Sequence, residues 1–277
     1  MTRVAICAPS KPISREDAAA LCALAQAHYP AITLSIHEQC FADEGHFAGP
    51  DAVRLAAFLE CANDPAFGAV WFARGGYGAA RIATHAMAGL NAAARDKDYL
   101  GYSDAGTMLG ALSAARIGQP VHAPMPADLL RTGGDAAVLR TLGWLAGKTD
   151  GLEPSLNDTP AAAFNLMTLA MLVGTPLMPD LRGHVVMIEE VSEYLYAVDR
   201  LLFHVTAHLG PVGIAGLRLG RVSDVPENDR PFGADPEAMA RLWCARSGIP
   251  FLGIADIGHD SMNKIVPFGL ARRRARE

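Results

Sequence analysis

Through the first half of the chain, short apolar runs alternate with stretches whose apolar residues recur every three or four positions. This pattern builds βαβ units around a mostly parallel sheet. Strands are predicted at 4–8, 32–36, 69–72, 99–102 and, with a weaker signal, 120–122. Between the first two, Ser14 with Asp17 three residues on makes a capping-box-like helix start, after which Leu21, Leu24 and His28 share one face. Similar patterns predict helices near 51–62, 78–87 and 107–117. The expected architecture is α/β, with a doubly wound, mostly parallel sheet.

The texture changes at residues 148–160, Lys-Thr-Asp-Gly-Leu-Glu-Pro-Ser-Leu-Asn-Asp-Thr-Pro, whose turn formers mark a linker or surface excursion. The expected division is an N-terminal α/β domain over 1–147, the linker, and a smaller C-terminal α/β domain with its own β structure over 161–277. Residues 159–178 carry no charge, and Pro160 and Pro176 bracket them. The uninterrupted part falls short of the roughly 20 residues that span a bilayer, so a buried core helix is expected there. Beyond it come a strand at 185–188 and a helix whose Leu195, Val198, Leu202, Val205 and Leu209 share a face before Gly210-Pro211 ends it. A strand near 212–217 follows, then a helix capped by Asp235, opened by Pro236, burying Met239, Leu242 and Trp243, and stopping at Gly248. The basic tail at 272–276 is expected to be a solvated end.

Composition narrows the function. The chain has 277 residues, 51% of them hydrophobic, and Lys plus Arg at 24 against Asp plus Glu at 29 leaves a net charge of -5. That excludes a disordered chain and argues against a basic nucleic-acid binder. The five cysteines are odd in number and never in a C-x-x-C arrangement, so neither a disulfide framework nor a zinc knuckle is supported, and a reducing compartment is expected. The apolar run at 4–8 is too short for a signal peptide.

Four local features could carry chemistry. Gly101-Tyr102-Ser103-Asp104-Ala105 falls where a strand turns abruptly into a helix, and small residues two before and two after a serine suit a nucleophile elbow. The alternative is that Ser103 or Asp104 only caps the next helix. Arg74-Gly75-Gly76-Tyr77-Gly78, again at a strand end, offers bare amides that suit an oxyanion hole or a phosphate cradle, though the spacing matches no nucleotide motif. Glu189-Glu190 ends a strand with Glu193 close behind, and His259 follows an apolar run and a glycine. His204 and His208 lie four apart on a helix but lack the zincin glutamate and a third ligand, so no metal site is expected.

Serine at 103, glutamate at 189 and histidine at 259 occur in an order that serine hydrolases use. Together with Ala8-Pro9-Ser10, Arg74 to Arg81, Pro124-Met125, Asn165-Leu166, Gly174-Thr175-Pro176, Asp199-Arg200 and Pro267-Phe268-Gly269, they make the chain resemble the LD-carboxypeptidase family of serine peptidases over nearly its whole length. The resemblance implies two domains with the site between them, Ser103 as nucleophile, Glu189 as the triad carboxylate, His259 as general base, and no cofactor or metal. Backbone amides of Gly75, Gly76 and Asp104 would meet the oxyanion, with Asn165 as a substrate-binding candidate and Arg74 as the candidate partner for the carboxylate of the leaving residue. The implied reaction removes the terminal D-alanine from a muropeptide tetrapeptide stem in cytoplasmic cell-wall recycling. The expected partners are that small peptide and a second copy of the chain in a homodimer, with no nucleic acid and no membrane.

Three positions depart from the family pattern: Gly106 with Thr107 one place late, Ala123 before Pro124-Met125, and Ala163-Phe164 before Asn165. They leave the triad intact and put the substrate pocket in question. Two alternatives follow: a peptidase like those conferring microcin C immunity, which cleave an aminoacyl-nucleotide amide but are longer by an active-site loop not found here, and a non-catalytic muropeptide-binding protein of the same fold.

Overall fold

In β1 (Thr2–Cys7) Ala5 and Cys7 point into one core and Val4 and Ile6 into another, so the strand is apolar on both faces. Such a strand needs helices on both sides, which is the condition for a parallel doubly wound sheet. The computed structural model, which describes residues 2–271, has that arrangement; the basic tail lies outside the described residues. After β1 come α1 (Arg15–His28), β2 (Ile32–Ile36), α2 (Asp51–Asn63), β3 (Ala69–Phe72), α3 (Ala79–Ala88), β4 (Asp98–Gly101), α4 (Gly106–Ala115), β5 (Gln119–His122) and α5 (Gly134–Leu145). The strands run in the order β5-β4-β3-β1-β2, all parallel. Helices α1 and α5 cover one face, and α2, α3 and α4 the other. The Ser14–Asp17 capping box forms as the sequence predicts.

A second sheet is built from β6 (Ala161–Asn165), α6 (Leu166–Leu172), β7 (Val185–Val191), α7 (Leu195–Val212), β8 (Gly216–Ser223), α8 (Pro236–Arg246) and β9 (Phe251–Ile254). Its order is β6-β7-β8-β9, also all parallel. The chain then returns to the first sheet, where β10 (Val266–Pro267) pairs antiparallel with β5. The strap at 148–160 is anchored on its way: Glu153, 2% exposed, accepts from the Ser155 hydroxyl and the Asp256 amide, and Leu152 bridges to Ile265.

Several expectations are corrected. The uncharged stretch at 159–178 is a strand followed by a short helix, because Ala162 and Phe164 enter the large core while Ala161 and Ala163 enter a smaller one. Pairing with β7 overrides the helical preference of three alanines. Helix α7 continues through Gly210-Pro211 to a left-handed Gly213, whose amide bonds back to the Leu209 and Gly210 carbonyls and closes the helix past the proline, and β8 therefore begins at Gly216 rather than near 212. Leu242 is 45% exposed, not buried. Helix α5 and strand β9 escaped the sequence reading; α5 starts after a left-handed Gly133 with no side-chain cap to announce it.

The two sheets share one core through α4 and α6. A Cβ at Gly110 would stand 2.7 Å from Leu172 Cδ1, and one at Gly106 3.3 Å from Thr168 Cγ2, so glycines four apart on α4 let α6 approach closely. The Phe164 ring fills the space beside both, and its edge meets Phe268 at 5.0 Å. Gly106 and Phe164, two of the departures from the family pattern, thus lie together in the joint between the sheets. Both are buried, as is Ala123.

Candidate active site

Ser103 follows β4 with φ 59, the left-handed region that costs a non-glycine residue roughly 1–2 kcal/mol. Close packing holds it there. A Cβ at Gly101 would lie 3.0 Å from Ala105 Cβ, and one at Gly75 only 2.8 Å from Ser103 Cβ and 2.9 Å from its Oγ. The Asp104 side chain turns away into the protein, accepting from Ser10 Oγ at 2.5 Å and from the Ala79 amide at 2.9 Å, which ties the elbow to the loops after β1 and β3. Burial pushes the Asp104 carboxyl up, and these two donors pull it back only in part.

The second sheet supplies the other two groups. Glu189 lies near the end of β7 and is fully buried; His259 lies in the irregular loop after β9 and is 8% exposed. His259 Nδ1 donates to Glu189 Oε2 at 2.5 Å, which leaves Nε2 to accept from Ser103 Oγ at 3.0 Å. The three residues that the sequence singled out, 156 and 70 positions apart, form one chain of hydrogen bonds. Burial opposes protonation of His259, but the Glu189 charge and hydrogen bond outweigh it, and the pKa is raised above the ordinary histidine value of about 6.5 rather than unperturbed.

Glu190, next to Glu189, has a different task. Strand β7 is covered on both faces, so consecutive carboxylates are both buried. Glu190 accepts from Asn165 Nδ2, the Met167 amide and the Val191 amide at 2.7, 2.8 and 2.9 Å, and so fixes the start of α6. Asn165 also caps α6 through its carbonyl to Thr168. Both ends of its amide are therefore engaged inside the protein, one in the cap and one with Glu190. Arg74 is exposed beside Gly75.

The sequence reading missed the groups that hold His259. Tyr102 flanks the imidazole at 4.9 Å between ring centroids, and its hydroxyl donates to Asp128 at 2.7 Å. Asp128 also accepts from the Met125 amide and from Arg131 Nε, while Arg131 donates to the His259 carbonyl at 2.6 Å. Arg140 holds the carbonyls of Ser261 and Asn263, Arg221 clamps Asp256 and Asp260, and Asn263 accepts from the Gly258 amide and His122. Tyr102 beside Ser103, Asp260 beside His259 and Met125 in a matching motif had a sequence signal; Asp128 and the arginines had none. Among the described residues no group of three or more His, Cys, Asp or Glu side chains could hold a metal ion. The five cysteines are free, and no described helix is long and apolar enough to cross a membrane.

A hydroxyl on a strained corner, an imidazole behind it and a buried carboxylate behind that form the arrangement on which serine hydrolases are built. The comparisons specify the family. Residues 4–123 match the LD-carboxypeptidase N-terminal domain and residues 161–273 its C-terminal domain. The chain belongs to the LD-carboxypeptidase family. It is 25% identical over 292 residues to the murein tetrapeptide carboxypeptidase of Pseudomonas aeruginosa, across 96% of this chain and 91% of that one. Among solved structures, the muramoyltetrapeptide carboxypeptidase from Oxalobacter formigenes superposes with a TM-score of 0.77 at 22% identity, covering 97% and 93% of the two chains. The microcin C7 self-immunity protein MccF superposes at 0.79 with 16% identity, covering 97% and 91%.

Proposed function

We propose that the protein is a serine-type LD-carboxypeptidase that removes the terminal D-alanine from muropeptide tetrapeptide stems. The observation that carries the reading is the connected Ser103, His259 and Glu189 chain at the adjoining ends of the two sheets. His259 Nε2 takes the Ser103 proton as Oγ attacks the scissile carbonyl; the proton then passes to the departing amine of D-alanine, leaving an acyl-serine. Water repeats the sequence with His259 as base and releases the shortened peptide. Glu189 fixes the tautomer and stabilises the imidazolium. Amides of Gly75, Gly76 and Asp104 receive the oxyanion in this reading, which the packing of Gly75 against the serine supports. Exposed Arg74 is available to an outer substrate carboxylate. Free thiols fit a reducing, cytoplasmic setting, and a homodimer is the assembly to look for.

The family relationship and the name of the Pseudomonas relative support the substrate class. The test is mass spectrometry of purified protein with a tetrapeptide stem and, in parallel, an aminoacyl-nucleotide amide. Loss of D-alanine from the stem alone is expected; cleavage of the nucleotide amide alone would move the assignment to the immunity-type reaction. Stoichiometric binding without cleavage of either would make the chain a muropeptide-binding protein.

A further inference from the structure

The loop after β1 is pinned at three successive residues. Ala8 exchanges bonds with the Gln39 side chain, the Pro9 carbonyl accepts from fully buried Arg54, and buried Ser10 donates to Asp104, the residue after Ser103. Lys11 comes next, on a rigid base rather than a loose surface loop. Its stem lies across Gly76: a Cβ there would stand 2.7 Å from Lys11 Cγ and Cδ and 3.1 Å from Cε. Gly76 has φ +114, and its neighbour Gly75 is the residue that touches Ser103. Two consecutive glycines therefore bring the lysine stem against one end of a short turn and the serine hydroxyl against the other.

The site is also where the topology calls for a ligand. From β1 the chain order runs to β2 on one side and to β3 on the other, and open α/β sheets bind ligands in the crevice beyond the carboxyl ends of strands at such a switch point. Lys11 follows β1, and Gly75-Gly76 follows β3. Lys11 is only partly exposed, and its ammonium makes no ion pair among the described residues. A cation on a packed stem, without a counter-ion among the described residues, is available to an anion.

We propose that Lys11 anchors the terminal carboxylate of the substrate, on the residue whose amine departs when Ser103 is acylated. This rests on the carboxypeptidase reading, in which a free carboxylate two bonds beyond the scissile nitrogen distinguishes a chain end from a chain interior. A lysine is a compact point charge on a flexible stem and suits a single carboxylate presented at varying angles. Arg74, outward and exposed, remains for a carboxylate farther along the peptide.

Calorimetric titration of Ser103→Ala protein separates binding from turnover. Three peptides are used: the tetrapeptide stem as free acid, its C-terminal amide, and the free acid with the diamino acid's second carboxylate removed. Adding Lys11→Met is expected to weaken free-acid binding about 10- to 100-fold, the range of a charge-assisted hydrogen bond, while the amide binds as before. Lys11→Arg, which keeps the charge, should retain most of the preference, and unchanged circular dichroism shows that the variants fold. Equal weakening for acid and amide, a loss that follows the diamino acid's carboxylate instead, or no free-acid binding at all would overturn the anchor. If wild-type protein leaves the stem uncut while the Lys11-dependent preference for the free acid persists, the carboxypeptidase reading falls and the anchor stands. If wild type cuts the stem and Lys11→Met binds it as tightly as its parent, the reverse holds.

Discussion

Ser103 stands on a corner made by its own neighbours in sequence, Gly101 and Ala105, with Gly75 packed over it. His259 stands in an irregular loop held from outside by Arg131 just before α5, by Arg140 within α5 and by Arg221 from β8. The serine end stores its geometry in a strained backbone with φ 59, whereas the histidine end stores it in charged hydrogen bonds to carbonyls and carboxylates. Steric corners are local and hard to deform; hydrogen-bonded loops are distributed and yield by degrees. Substitutions at the two ends should therefore fail differently: abruptly at the first, gradually and with a changed pH profile at the second.

The largest effect is expected at the corner. Ser103→Ala should fold and lose turnover by roughly 10⁴- to 10⁶-fold, as other triads do; single-turnover assays on soluble protein measure it, and near wild-type rates would end the nucleophile assignment. Glu189→Gln should cost about 10⁴-fold by favouring the wrong tautomer. The residual activity carries the sharper information. Since Glu189 holds the His259 pKa above its ordinary value, the rise of kcat/KM with pH in the wild type should be centred above about 6.5, and the variant's should move to lower pH. The same raised pKa means that the contribution to stability from protonating His259 is complete below about pH 6.5 and is lost as pH climbs through the folded-state value.

Arg131→Met tests the distributed end. It frees the His259 carbonyl and leaves Asp128 with the Tyr102 and Met125 donors, so a loss of about 10- to 100-fold in kcat is expected, from misplacement alone. Because the guanidinium lowers the His259 pKa, its removal should shift the acid limb upward, opposite to Glu189→Gln. A shift in the same direction for both would show that the two groups do not act on one imidazole. The smallest effect belongs to the joint between the sheets: Gly110→Ala, whose methyl would meet Leu172 Cδ1 at 2.7 Å, should lower stability by about 1–3 kcal/mol in urea unfolding. Gly106→Ala, with 3.3 Å to Thr168, should cost less. If the milder variant is the more damaging, the glycine face is not what sets the approach of α6.

The departures at Gly106, Ala123 and Phe164 show where a linear reading reaches its end. In sequence they sit beside family motifs and raise the question of an altered substrate pocket. In the fold all three are buried, and Gly106 and Phe164 are partners across the joint. The uncharged stretch at 159–178 teaches the same lesson: its composition permits helix or strand, and β7 decides for the strand as far as Asn165.

The sequence by itself determined what short-range sterics and periodicity control. Strands apolar on both faces demand a covered parallel sheet, Ser14 and Asp17 cap α1, Asp235 and Pro236 open α8, and a serine between Gly101 and Ala105 makes a corner. It also supplied the three triad residue types, through family resemblance. Only the tertiary structure decided that Nε2 of His259 stands 3.0 Å from Ser103, that Glu189 and not Glu190 receives its other nitrogen, and that Tyr102, Asp128 and Arg131 hold it there. Those contacts join residues from 26 to 156 positions apart, and their energies depend on burial and direction, which no window of neighbouring residues contains.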